Sequence, residues 1–158
     1  MNLGRRQLLA ASATLSAGAG SLAWLAPAQA QRANASIPAA TQAAMDAFSA
    51  GAPITDGGIQ LQISELVENG NLVPVTVLVD SPMTPADHVR AIALFAERNP
   101  QPEVAMFHLH PAMGRAQVST RVRLATSQTV TALALLSNGR CLRQRMGVIV
   151  TLAACVEG

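Results

Sequence analysis

The chain is 158 residues long, half of them apolar and 13% charged, with a mean hydropathy of +0.30. That balance excludes a disordered tail, a collagen-like repeat and more than one ordinary domain. The formal charge is +2, all eleven basic residues are arginine and there is no lysine, so whether a pI near 9.0 means a polyanionic partner depends on where the arginines sit.

Residues 1–30 read as an export signal. Arg5-Arg6 precede a weakly apolar Ala/Ser/Gly/Leu run, and Ala28-Gln29-Ala30 is a small-x-small site that places cleavage after Ala30. The Gly4-Arg5-Arg6-Gln7-Leu8-Leu9 pattern and the glycines of the run point to twin-arginine export rather than a membrane anchor, with an ordinary Sec signal as the alternative. Without Arg5 and Arg6, nine arginines face nine acidic residues, and the chain from Gln31 onward is neutral. It also has no Trp or Tyr and only three Phe, so a nucleic-acid partner loses both its electrostatic and its stacking support.

Residues 31–56 form an Ala-rich segment in which Ala40, Ala43, Ala44, Ala47 and Phe48 fall at helical spacing, predicting a short helix between Pro38 and Gly51. From Gly57 the period is two. Ile59/Leu61/Ile63 alternate with glutamines, and after the turn Glu68-Asn69-Gly70-Asn71 the run Val73–Val79 alternates again, with Pro74 indicating that this strand starts at an edge. Strands are predicted at His88–Ala96, Glu103–Leu109, Ala116–Leu124, Thr129–Leu136 and Arg143–Leu152, giving seven in all. Pro-rich and Asn-Gly turns separate them. The predicted fold is all-β, an antiparallel sandwich over 57–152 after the helical segment, with a short arm at 153–158. Outward positions of Ala91–Ala96 and Val130–Leu136 are largely Ala, Leu and Thr, an apolar sheet face that suggests a second protein packs there.

Two cysteines remain. Fourteen residues of predicted continuous strand put Cys141 and Cys155 about 40 Å apart, far beyond the roughly 7 Å that a disulfide tolerates. Cys141 reads as a small packing residue near Asn138-Gly139. Cys155 follows the last strand and reads as an exposed thiol suited to covalent attachment, the alternatives being a passenger or an intermolecular disulfide. His108 and His110, at i and i+2, share a strand face and with Met106 or Met113 offer a weak soft-metal signal for copper, against a plain hydrogen-bonded pair. His88 beside Asp87 reads as a strand-start hydrogen bond rather than an acid/base couple. Arg121 and Arg123 read as a solvated sheet face.

Ordered stretches along the chain carry a resemblance: Glu68-Asn69-Gly70-Asn71, Ser81-Pro82-Met83-Thr84, Asp87-His88-Val89, Phe95-Ala96-Glu97, Asn99-Pro100, Phe107-His108-Leu109, Val118-Ser119-Thr120-Arg121, Ser127-Gln128-Thr129-Val130 and Cys155. Over about Gly57 to Cys155 the sequence resembles the SoxY family, the sulfur carriers of bacterial thiosulfate oxidation. The resemblance implies an immunoglobulin-like sandwich paired with a SoxZ-like subunit in the periplasm, and no cofactor. It further implies that a c-type cytochrome joins thiosulfate to Cys155, and that a sulfate-releasing hydrolase and a sulfur dehydrogenase then act on the bound sulfur. Catalysis would belong to those partners, and the chain would be a carrier rather than an enzyme. The family's arm usually flanks its cysteine with glycine pairs; here the neighbours are Ala153, Ala154, Val156 and Glu157, which implies a stiffer arm. A copper-binding sandwich using His108 and His110, or a structural subunit that carries nothing, are the alternative functions.

Overall fold

The computed structural model describes residues 36–154, which form one α-helix and nine strands. In chain order these are α1 (Ala39–Ser49), β1 (Ile54–Asp56), β2 (Ile59–Gln62), β3 (Leu66–Asn69), β4 (Val73–Val79), β5 (Val89–Ala96), β6 (Glu103–His108), β7 (Ala116–Val122), β8 (Gln128–Leu136) and β9 (Cys141–Leu152). The predicted signal with Arg5, Arg6 and Ala30, and the thiol of Cys155, lie outside the described residues.

Alternation sorts the strands into two layers. The larger sheet runs β1-β9-β8-β5-β6, with β3 added along the far part of β9; the smaller runs β2-β4-β7. The main core lies between them, where Val73, Val75, Val77 and Val79 of β4 face Ile92, Leu94, Val130 and Ala132 of the larger sheet. Gln144 Oε1 on β9 accepts the Leu61 backbone N–H at 2.8 Å and laces the two sheets together along one side.

All seven predicted strands are present, with ends that differ by one or two residues. The two additional strands, β1 and β3, are short and pair parallel to β9, so an otherwise antiparallel sandwich carries two parallel contacts. The sheet thus begins at Ile54, three residues before the expected boundary. β1 is pinned by Arg143, whose Nε and a terminal nitrogen grip the Asp56 carboxylate at 2.7 and 3.1 Å. That contact holds the Asp56 carboxyl below its ordinary value and raises the Arg143 guanidinium.

Pro74 lies where β4, the central strand of its sheet, is still open on one side, so the strand starts at an edge as the proline indicates. The proline is tolerated because β2 pairs only with Thr76–Val79, leaving the Pro74 position with a single neighbour, β7.

The apolar outer face of the larger sheet is covered by the chain itself. α1 lies across it, burying Met45 against Ala93, Phe95, Leu133 and Cys141, with Phe48 and Phe95 edge to face at 6.2 Å between centroids. The expectation that a second protein covers this face is therefore corrected: the Ala-rich helix does so. Its small residues let it approach the sheet closely, and it ends at Ala50, which adopts the left-handed conformation before Gly51.

Candidate functional site

The end of β9 that leads to Cys155 is tied into the sandwich through Gly70. The Gly70 N–H donates to the Leu152 carbonyl at 2.8 Å, the Gly70 carbonyl accepts from Leu124 N–H at 2.8 Å, and the Leu124 carbonyl accepts from Ala154 N–H at 3.2 Å. Ala154 is buried at 6% exposure, so the residue immediately before the cysteine is anchored in the fold. A Cβ on Gly70 would stand 2.4 Å from the Leu124 carbonyl oxygen and 3.0 Å from the Ala154 nitrogen. Only glycine allows this approach, although its backbone angles are not the left-handed ones that turns usually require.

The surrounding loops are fixed by amide side chains. Asn99 Oδ1 accepts from Ala125 N–H and from Gln128 Nε2, while Asn99 Nδ2 donates to the Arg123 carbonyl. Gln128 Oε1 accepts the Arg98 N–H at 2.7 Å, and Ser127 Oγ accepts the Val150 N–H at 2.9 Å. Asn69 Oδ1 closes the turn by accepting from Asn71 N–H. Three stretches that carry the family resemblance, Glu68–Asn71, Asn99-Pro100 and Ser127–Val130, thus meet at one pole and support the root of Cys155.

Cys141 sits at the other end of β9, fully buried beneath α1 among Ala93, Phe95 and Leu133. Burial pushes its thiol up to about 11, against the smaller lowering effects of a backbone hydrogen bond from Ala134 and the charge of Arg143. It is a packing residue more deeply placed than the sequence indicates. The single 12-residue strand between Cys141 and Leu152 bears out the premise on which a bridge to Cys155 was excluded.

The histidines gather at this second pole. His88, His108 and His110 border one open cleft of about 750 Å³ together with Arg90, Met106 and Phe48. Met113 is exposed and outside the cleft lining. His88 Nδ1 lies 3.1 Å from the Thr84 carbonyl, a strand-start hydrogen bond, and Asp87 turns instead into the Thr84 loop, where its backbone N–H donates to Thr84 Oγ1. His110 Nδ1 accepts the Ala112 N–H and caps a short 3-10 turn at Pro111–Met113. Among the described residues no group of three or more His, Cys, Asp or Glu side chains is arranged to hold a metal ion. Arg121 and Arg123 are exposed at β7 and just beyond it, and no helix among the described residues is long and apolar enough to cross a membrane.

Of these features the sequence leaves the close approach at Gly70 unannounced. Its only signal is the asparagine-flanked turn within the resemblance, which reads as turn chemistry rather than as a backbone contact with Leu124 and Ala154.

The family profile described as sulfur oxidation protein SoxY matches residues 44–155. Among solved structures, the sulfur carrier protein SoxY from Chlorobium limicola f thiosulfatophilum is similar at 31% identity and a TM-score of 0.61, covering 72% of this chain and 97% of that one. A superoxide reductase (neelaredoxin) from Ignicoccus hospitalis reaches a TM-score of 0.53 at 19% identity, covering 60% of this chain and 80% of that one, a likeness of fold alone. No curated protein sequence matches. With the profile spanning the sandwich and the cysteine, and a SoxY structure similar over nearly its whole length, the chain belongs to the SoxY family of sulfur oxidation proteins.

Proposed function

We propose that the chain is a covalent sulfur carrier, with Cys155 as the attachment point and its chemistry supplied by partner enzymes. The observation that carries this reading is the root. Loops of the resemblance converge to hold Ala154, the residue before the cysteine, while the other cysteine is buried and its thiol raised. In this reading Cys141 is the packing sulfur and Cys155 the presented one.

Loading requires a balanced oxidation. The Cys155 thiol loses its proton, its sulfur bonds to the terminal sulfur of thiosulfate, and two electrons leave to a c-type cytochrome. Water then cleaves the outer sulfur–sulfur bond, releasing sulfate and two protons and leaving a persulfide on the carrier for further oxidation by the sulfur dehydrogenase. Nothing in these steps asks the sandwich to act as acid, base or metal ligand. It needs to present one cysteine to several sites in turn, and covalent tethering keeps the intermediate from diffusing away.

The compartment and partner follow from the same reading. Residues 1–30 act as a twin-arginine signal, the neutral chain from Gln31 works in the periplasm, and a SoxZ-like subunit binds it. Because α1 already covers the outer face of the larger sheet, the partner has to use another surface. Leu66, Ile149 and Leu152 are exposed apolar residues on the β3–β9 pair leading to the root, and we assign them to partner contact.

Intact-mass measurement after exposure to thiosulfate and the oxidising cytochrome tests the carrier reading. The wild-type chain gains one thiosulfate unit and Cys155→Ser gains none; an adduct that persists in Cys155→Ser refutes it.

A further inference from the structure

All three histidines of the chain line one cleft, and the carrier reading uses none of them. The cleft opens where Leu135 pairs with Cys141, the start of β9, and is roughly 35 Å along that strand from the root at Leu152. The root is therefore remote from it.

Its chemistry is one-sided. Arg90 lines it, as do the three imidazoles, and no Asp or Glu is among the lining residues. Both ion pairs among the described residues use other arginines, Arg143 and Arg145, so Arg90 has no carboxylate partner there. The remaining lining is apolar, with Phe48 half-buried on one wall and the Met106 thioether on another.

Hydrogen bonds fix the character of two rings. Because His110 Nδ1 accepts from the Ala112 N–H, the proton of that ring sits on Nε2, leaving a donor free. His88 is the reverse: Nδ1 donates to the Thr84 carbonyl, leaving Nε2 with a lone pair when the ring is neutral. A cation would meet the His110 ring N–H and the Arg90 charge, and the three imidazoles are not arranged as a metal-holding group. An anion finds a guanidinium and a ring N–H, and a cleft of this volume has room for an apolar body behind its head group.

We propose that this cleft binds a small organic anion, its carboxylate or sulfonate held by Arg90 and His110 and its apolar body lying against Phe48 and Met106. The ligand is distinct from the sulfur cargo, and its binding is independent of Cys155.

Benzenesulfonate and its neutral analogue benzyl alcohol, titrated separately into the full chain while the histidine ring signals are followed by NMR, provide the test. Saturable shifts of the His88 and His110 signals are expected with benzenesulfonate, with affinity at least about tenfold higher than for benzyl alcohol. The exposed substitution Arg90→Met removes that preference, whereas Cys155→Ser leaves it unchanged. Absence of saturable shifts, equal binding of the two probes, or full retention of the preference in Arg90→Met would overturn the assignment. The comparison of the two probes needs no variant, and the Cys155→Ser arm separates this site from the carrier reading.

Discussion

At the scale of single residues, Cys141 is set apart by its burial. Cys141 is fully buried and its thiol is raised from 9.0 to about 11. At pH 8 only about one part in a thousand of it is thiolate, so iodoacetamide should label it only after unfolding. A thiol raised on folding stabilises the native state below the unfolded value, and that contribution disappears as pH climbs through the folded one. Stability should therefore fall by roughly 2 kcal/mol between pH 9 and 11 relative to Cys141→Ala, read from urea unfolding across that range. Gly70 makes a second residue-scale prediction. Gly70→Ala forces a Cβ into the Leu124 carbonyl and the Ala154 amide, and should cost about 1–3 kcal/mol in urea unfolding while speeding hydrogen exchange at the Ala154 amide. If stability and exchange are unchanged, the root is not anchored in the way described. Neither role is legible in the sequence beyond its outline: Asn-flanked Gly70 signals a turn, but the carbonyl it must accommodate lies more than fifty positions away, at Leu124.

At the scale of elements, period-two patterning made β4, β5, β7 and β8 legible, because each buries at least one clean face. β1 and β3 escaped it. Each is only three or four residues long and owes its place to parallel pairing with a strand some eighty residues away, a contact that no local pattern encodes. The fate of the apolar outer face was misread for a related reason. An apolar face records that something covers it, and only the structure shows that the cover is α1. Met45 is the keystone of that cover, fully buried between helix and sheet. Met45→Ala should lose about 2–5 kcal/mol in urea unfolding, whereas a loss below about 0.5 kcal/mol would mean that the helix contributes little to the sandwich.

At the scale of the whole molecule, the sandwich has two poles joined by β9. One pole gathers Gly70, Asn99, Ser127 and Gln128 around the root of Cys155; the other gathers the three histidines and Arg90 beside the buried Cys141. The sequence singles out Cys155 by its position and by the resemblance, but could not reveal that Ala154 is held by Leu124. That anchor bears on the missing glycine pairs: a buried alanine immediately before the cysteine fixes the root, and on the proposed carrier reading partner sites would have to come close to the sandwich surface, where Leu66, Ile149 and Leu152 are exposed.

Site-resolved mass spectrometry of the loaded carrier tests the central claim most directly. Because the chain has no lysine, trypsin cuts only at arginine, after Arg140, Arg143 and Arg145, which places Cys141 in a three-residue peptide and Cys155 in a separate one beginning at Met146. After loading with thiosulfate and the oxidising cytochrome, the added sulfur should be found on the peptide beginning at Met146 and absent from Cys141-Leu142-Arg143. Sulfur on the Cys141 peptide, or a loaded chain with Cys155 unmodified, would contradict the account.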